Sequence, residues 1–156
     1  MRFHHTIEAT DNAEDPTWYV LRAAEGTEES EGATSTQYGR DVLENWIADE
    51  QPDQITDEYG NPHLRVVVRF SDEPDEHDER IAIVGSGDLD TPLPELGAVD
   101  AARDAKLYAK YLDRRADDQL EDALTAAREA GHGSNDLARR AAPAVSRPIA
   151  LRMMSA

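Results

Sequence analysis

The chain has 156 residues, enough for one ordinary domain or two small ones. Hydrophobic residues make up 39% and charged residues 31%, with no cysteine; this leaves a modest core and excludes disulfides, thiolate zinc sites and a cysteine nucleophile. The net charge of −17 is unevenly placed: residues 1–99 hold 24 Asp/Glu against 6 Lys/Arg, whereas residues 100–156 hold 9 against 10.

An acidic body repels phosphate, so any nucleic-acid contact is confined to the C-terminal end. There the last 34 residues carry five Arg and only Glu129 and Asp136 as acids. The acidity of the body fits either a functional surface or a salt-adapted proteome. The N-terminal residues lack the apolar stretch of a signal peptide, and no run approaches a bilayer span, so the expectation is a soluble cytoplasmic protein with no membrane contact.

Arg2–Ala9 alternates, with Phe3, His5 and Ile7 on one side and His4, Thr6 and Glu8 on the other, which predicts a half-buried strand. Asp11–Pro16 is turn chemistry, and Thr17–Ala24, with Trp18, Tyr19, Val20 and Leu21, predicts a second strand and a long-looped hairpin. Glu25–Ala33 is acidic and broken by Gly, with at most a short edge strand near Gly32–Ser35. Thr36 is placed to cap a helix from Gln37 to Asp49, whose apolar face is Tyr38, Val42, Leu43, Trp46 and Ile47.

Gln51–Pro62 reads as loop. Leu64–Phe70 is the clearest strand, with Leu64, Val66, Val68 and Phe70 pointing one way, and Arg80–Val84 is a return strand after the acidic turn Ser71–Glu79. The Gly- and Pro-broken stretch that follows predicts a division into an acidic α+β domain (1–86), a linker (87–99) and a helical domain (100–156). Asp100 is a plausible N-cap, and residues 100–130 suit either one long helix or two with a break near Asp117. Leu107, Tyr111, Leu120, Leu124 and Ala127 lie along one side.

The C-terminal part, residues 117–156, predicts a helix-turn-helix. Gly131 stops the first helix, Ser134 caps a second that ends at Pro143, and Ser146 caps a third with Pro148 in its first turn. Ser146 and Arg147 would head the third helix, the part that approaches base edges in the major groove. Arg147 suits bidentate pairing with guanine, while Arg139, Arg140 and Arg152 suit phosphates. Ser134 and Asn135 add N–H groups and side chains at the start of the second helix. The connection from Ala138 to Ser146 is longer than the short turn usual for this motif, because Ala142-Pro143 extends it. A helical hairpin serving dimerisation, with solvated arginines, is the alternative.

The order strand, strand, helix, strand over Phe3–Glu8, Trp18-Tyr19-Val20, the Gly32-containing approach, Tyr38–Ile47 and Leu64–Phe70 resembles the HicB-type antitoxin fold. The resemblance rests on element order over the N-terminal part; the extra strand Arg80–Val84 and the stretch Leu21–Gly26 depart from the family pattern. It implies a repressor that blocks a small toxin-like ribonuclease, works as a homo-oligomer and adds a C-terminal DNA-binding domain.

Other chemistry is weakly signalled. His4 and His5 are adjacent on a strand and point to opposite faces, and His63, His77 and His132 are scattered, so no metal or cofactor site is expected. Asp72–Asp78 is a solvated charge run, and Gly85-Ser86-Gly87 lacks the Lys of a phosphate loop. No nucleophile pattern points to an enzyme. The expectation is an α+β protein with a helix-turn-helix that binds double-stranded DNA, with self-association or a basic protein partner at its acidic domain. The alternative is an interaction protein that sequesters a basic partner and does not bind DNA.

Overall fold

The computed structural model describes residues 1–156 apart from positions 13, 15, 50–62, 71–79, 94, 95 and 156. The fold is α+β, as the periodicities predict: strands β1 (Arg2–Thr10), β2 (Tyr19–Glu29), β3 (His63–Arg69) and β4 (Ala82–Gly85), with helices α1 (Ser35–Ala48), α2 (Gly97–Glu129), α3 (Ser134–Ala141) and α4 (Arg147–Met153). Two compact units form, Met1–Tyr108 and Ala109–Ala156. The expected loop Gln51–Pro62 and the acidic turn Ser71–Glu79 lie outside the described residues.

The sheet runs β2-β1-β3-β4 and is antiparallel throughout. Because His5 pairs with Val68, Ile7 with Val66, and Val66 with Val84, these residues share one face. Helix α1 lies against it over β3 and β4. Gly39 permits this approach: a Cβ there would sit 3.0 Å from Val68 Cγ2 and 3.1 Å from Val84 Cγ2. Phe3 stacks with Phe70 at a ring-centroid distance of 5.9 Å and meets Tyr38, tilted, at 5.2 Å, and Tyr108 meets Phe70 at 5.1 Å.

The opposite face is polar yet also largely covered, which corrects the half-buried reading of β1 and the one-sided reading of β3. His4, Thr6, Glu8 and Val67 are all buried. They lie on the two inner strands, β1 and β3. Arg65 Nε donates to Glu8 Oε2 at 2.7 Å, and the guanidinium sits 3.9 Å from the Trp18 ring centroid. Arg69 Nη1 donates to Thr6 Oγ1 at 3.2 Å. Alternation reports one exposed side only when that side meets water, and here long polar residues screen it.

Strand β2 is longer than expected. The acidic stretch assigned to loop after Ala24 continues the ladder, with Arg2 opposite Glu29, His4 opposite Thr27 and Thr6 opposite Glu25, and the register shifts between Thr6 and Glu8. Glu is tolerated there because β2 is an edge strand among the described residues, where charges stay solvated.

Helix α1 also starts earlier than expected. Thr34, not Thr36, is its N-cap, accepting from Gln37 N–H at 3.1 Å. A second, tertiary cap comes from α2: Asp104, fully buried, accepts from Ser35 N–H at 2.6 Å. Arg103 donates to the other Asp104 oxygen at 2.8 Å and to Ser35 Oγ at 3.1 Å. Side-chain capping of a first-turn amide removes one of the orphan donors of a helix start.

These contacts correct the division at 87–99. Arg40 of α1 donates to the Thr91 carbonyl at 2.7 Å and to the Leu89 carbonyl, holding that stretch against unit one. Gly85-Ser86-Gly87 leads into a 3₁₀ turn, Ser86–Asp88, whose Asp88 carboxylate accepts from Gly85 N–H at 2.8 Å. Helix α2 begins at Gly97, so Asp100 lies within its first turn and is not its cap. It runs unbroken past Asp117, and the boundary between the units falls inside it, after Tyr108.

Candidate functional site

The second unit packs three helical segments. Leu124 of α2, Leu137, Ala138 and Ala141 of α3, Ala150 of α4 and Met154 form a buried cluster, flanked by Leu120, Ala127 and Leu151. Its small residues let the segments cross closely. Helix α2 ends with Gly131 at φ 92, where Gly131 N–H bonds the Arg128 carbonyl and His132 N–H the Ala127 carbonyl, the paired bonds of a Schellman stop. Helix α3 starts from Gly133 as N-cap, so Ser134 is its first helical residue and not its cap. Ser146 does stand at the N-cap of α4, without a side-chain capping bond, and Pro148 is in the first turn.

The connection between α3 and α4 contains a cis Ala142-Pro143 peptide. Across it Arg147 Nη2 donates to Asn135 Oδ1 at 2.7 Å, joining the first turns of α3 and α4. Asn135, Arg139, Arg140, Ser146, Arg147 and Arg152 are exposed, and Ser134 is half-buried. Arg139 pairs with Asp136 at 3.1 Å, and both line, with Arg140 and His132, an open cavity of about 530 Å³. Asp136 therefore offsets part of the positive charge, a role sequence reading did not assign. Arg128, the fifth arginine of this region, is a structural residue: it donates to the Met154 carbonyl and ties α2 to the end of α4.

Unit one carries a different surface. Where α1 leaves the β1–β2 half of its sheet face open, a trough of about 540 Å³ remains. His5 and Ile7 floor it, and Tyr38, Val42 and Trp46 wall it. Glu28, Glu31, Asp41 and Asp49 rim it, all exposed, and Glu25 and Glu29 border it from β2, although their pairing with Thr6 and Arg2 turns their side chains to the other face of the sheet. Among the described residues no Lys or Arg lines it.

At the floor His5 Nδ1 and Tyr38 Oη are hydrogen-bonded at 2.7 Å. Burial, reinforced by the nearby His4, lowers the His5 pKa below its ordinary 6.5, against a smaller opposing pull from Glu28. Burial, with Glu28 adding to it, raises the Tyr38 hydroxyl to about 12. Both groups are thus neutral near pH 7. The His5 ring lies over Gly26, where a Cβ would come within 2.5 Å of His5 Cε1.

Protein-family models, curated proteins and solved structures yield no match to this chain. Sequence reading placed the arginines but missed the trough and its His–Tyr pair. The available signal was His5 on the same face as Phe3 and Ile7: a histidine on an apolar face needs a polar partner from the covering helix. Among the described residues no group of three or more His, Asp or Glu is arranged to hold a metal ion, and no helix is long and apolar enough to cross a membrane.

Proposed function

We propose that this protein is a cytoplasmic DNA-binding regulator, an antitoxin-like repressor of the HicB type, which contacts double-stranded DNA with α3 and α4. On this reading it is a binding protein and not an enzyme, works as a homo-oligomer, and uses its acidic unit for self-association or for a basic partner. The observation that carries the reading is the exposed Asn135–Arg147 pair. It gathers the starts of two helices, held on one small core, into a surface that also bears Arg139 and Arg140. Amide and guanidinium side chains are the groups that read adenine and guanine edges, while flanking arginines suit phosphates. The charge distribution supports the same end of the chain.

The test is binding to duplex DNA containing the gene's own upstream region over a salt series. A contact with Z phosphates gives a log–log slope of about −0.9Z. Arg147→Ala should abolish sequence preference and leave the thermal transition in place. Absence of binding by the wild type at about 50 mM salt would reject the DNA reading. The second reading, a non-DNA-binding protein that sequesters a basic partner, draws its support from the acidic trough.

A further inference from the structure

We propose that the trough between β2 and α1 docks an extended segment of a basic partner protein, one carrying Arg or Lys at alternate positions. This deepens the partner half of the proposed function and rests on it there; it does not require that α3 and α4 touch DNA.

Three independent features converge on this occupant. The first is shape. Helix α1 covers β3 and β4, so the other half of the same sheet face is an open channel with α1 as one wall and β2 as the opposite border. A segment in this channel lies over β1, whose His5 and Ile7 form the floor, and its side chains reach the β2 and α1 borders.

The second feature is charge. Four carboxylates, Glu28, Glu31, Asp41 and Asp49, rim the channel and among the described residues no cation lines it, so an anionic segment is repelled and a cationic one relieves the mutual repulsion of the rim. The carboxylates are spread along the channel and do not converge as metal ligands do. That spread matches cations placed at intervals along a chain, and side chains of an extended segment face one side at every second residue. The third feature is the wall: Trp46, half-buried, lines the channel about two turns along α1 from Tyr38, and aromatic faces are surfaces on which guanidinium groups pack favourably.

The experiment uses the full chain and isothermal titration with a synthetic ten-residue peptide alternating Arg with Thr. Three further probes accompany it: the same peptide with two central Thr replaced by Pro, an analogue with Glu for Arg, and spermidine. The double variant Glu28→Gln/Asp41→Asn removes two rim charges, and Asp113→Asn/Asp117→Asn removes the same charge from exposed positions of α2 outside the trough.

The expected result is saturable binding of the Arg/Thr peptide that the rim variant weakens about tenfold and the α2 variant leaves within about twofold. The Pro peptide should bind within about twofold at equal charge, because proline keeps the chain extended and a segment over β1 makes no strand-edge bonds. The Glu peptide should not bind. Equal loss in both double variants would overturn the site in favour of diffuse electrostatics. A loss of about tenfold with the Pro peptide would mean that the segment adds to the free edge of β2, and would overturn docking in the channel. Spermidine binding as tightly as the peptide would mean a small-polyamine site, and concentration-dependent self-association abolished by the rim variant would make the occupant a second copy of this chain. Each of these two results overturns the proposal. The DNA titration is read separately, so loss of peptide binding with DNA binding intact rejects only the docking groove.

Discussion

Replacing Asp104 tests whether α1 is held in place by a residue of α2. In Asp104→Ala the buried Ser35 N–H loses a charged acceptor at 2.6 Å, and Arg103 loses the carboxylate it bonds at 2.8 Å. Leaving this buried first-turn donor unsatisfied costs about 1–3 kcal/mol, while the Thr34 cap stays in place. Arg103 is 42% exposed at its side chain, so water replaces most of its lost ion pair and little is added for it. The expected loss is about 2–3 kcal/mol, a large share of the 5–15 kcal/mol typical of a domain. Asp104→Asn keeps a neutral acceptor for Ser35 and should lose only about 1 kcal/mol. Urea unfolding followed by near-ultraviolet circular dichroism measures both, and amide exchange at Ser35 to Gln37 localises the change. Two results would refute the reasoning: a loss in Asp104→Ala below about 0.5 kcal/mol, or equal effects of Asn and Ala.

Acid should destabilise unit one through His5. Its folded pKa lies below the ordinary 6.5, so the unfolded chain binds the proton more readily, and stability falls as pH drops through and below 6.5. Tyr38 and Glu28 are titratable groups beside it on its own face, and His4 acts from the adjoining position on the other; His5→Gln should flatten the dependence between pH 5 and 7, and an unchanged slope would remove His5 as its source. Glu8→Ala leaves Arg65 without its partner in a site where the two side chains are only 8% and 14% exposed, with an expected cost of about 3 kcal/mol by denaturant unfolding. Gly39→Ala raises helix propensity by up to about 1 kcal/mol, yet its Cβ meets two valine methyls at 3.0 and 3.1 Å. The expected net effect is destabilisation of about 1 kcal/mol, reversed when Val84→Ala is added.

Much of the local structure was legible because it rests on short-range chemistry. Alternation in Phe3–Glu8 and Leu64–Val68, the helical spacing of Tyr38, Leu43 and Trp46, the glycine stop at Gly131 and the proline after Ser146 each act within a few residues. The same holds for the arginines at the C-terminal end, whose exposure follows from charge.

What escaped the sequence depends on distant partners. A Glu-rich stretch reads as loop until the pairing of Arg2 with Glu29 makes it the edge of a sheet. A Gly- and Pro-broken stretch reads as a free linker until Arg40 takes the carbonyls of Leu89 and Thr91. Asp104 looks like one more acid on a soluble helix until the fold buries it against Ser35, 69 residues away in the chain. Periodicity determined which residues turn inward on each element. Only the packing of one element on another decided which polar groups meet, because a hydrogen bond requires both partners to be brought within its reach. The trough follows the same rule: its carboxylates come from β2, α1 and the stretch between them, and they face one channel because α1 covers only half of the sheet.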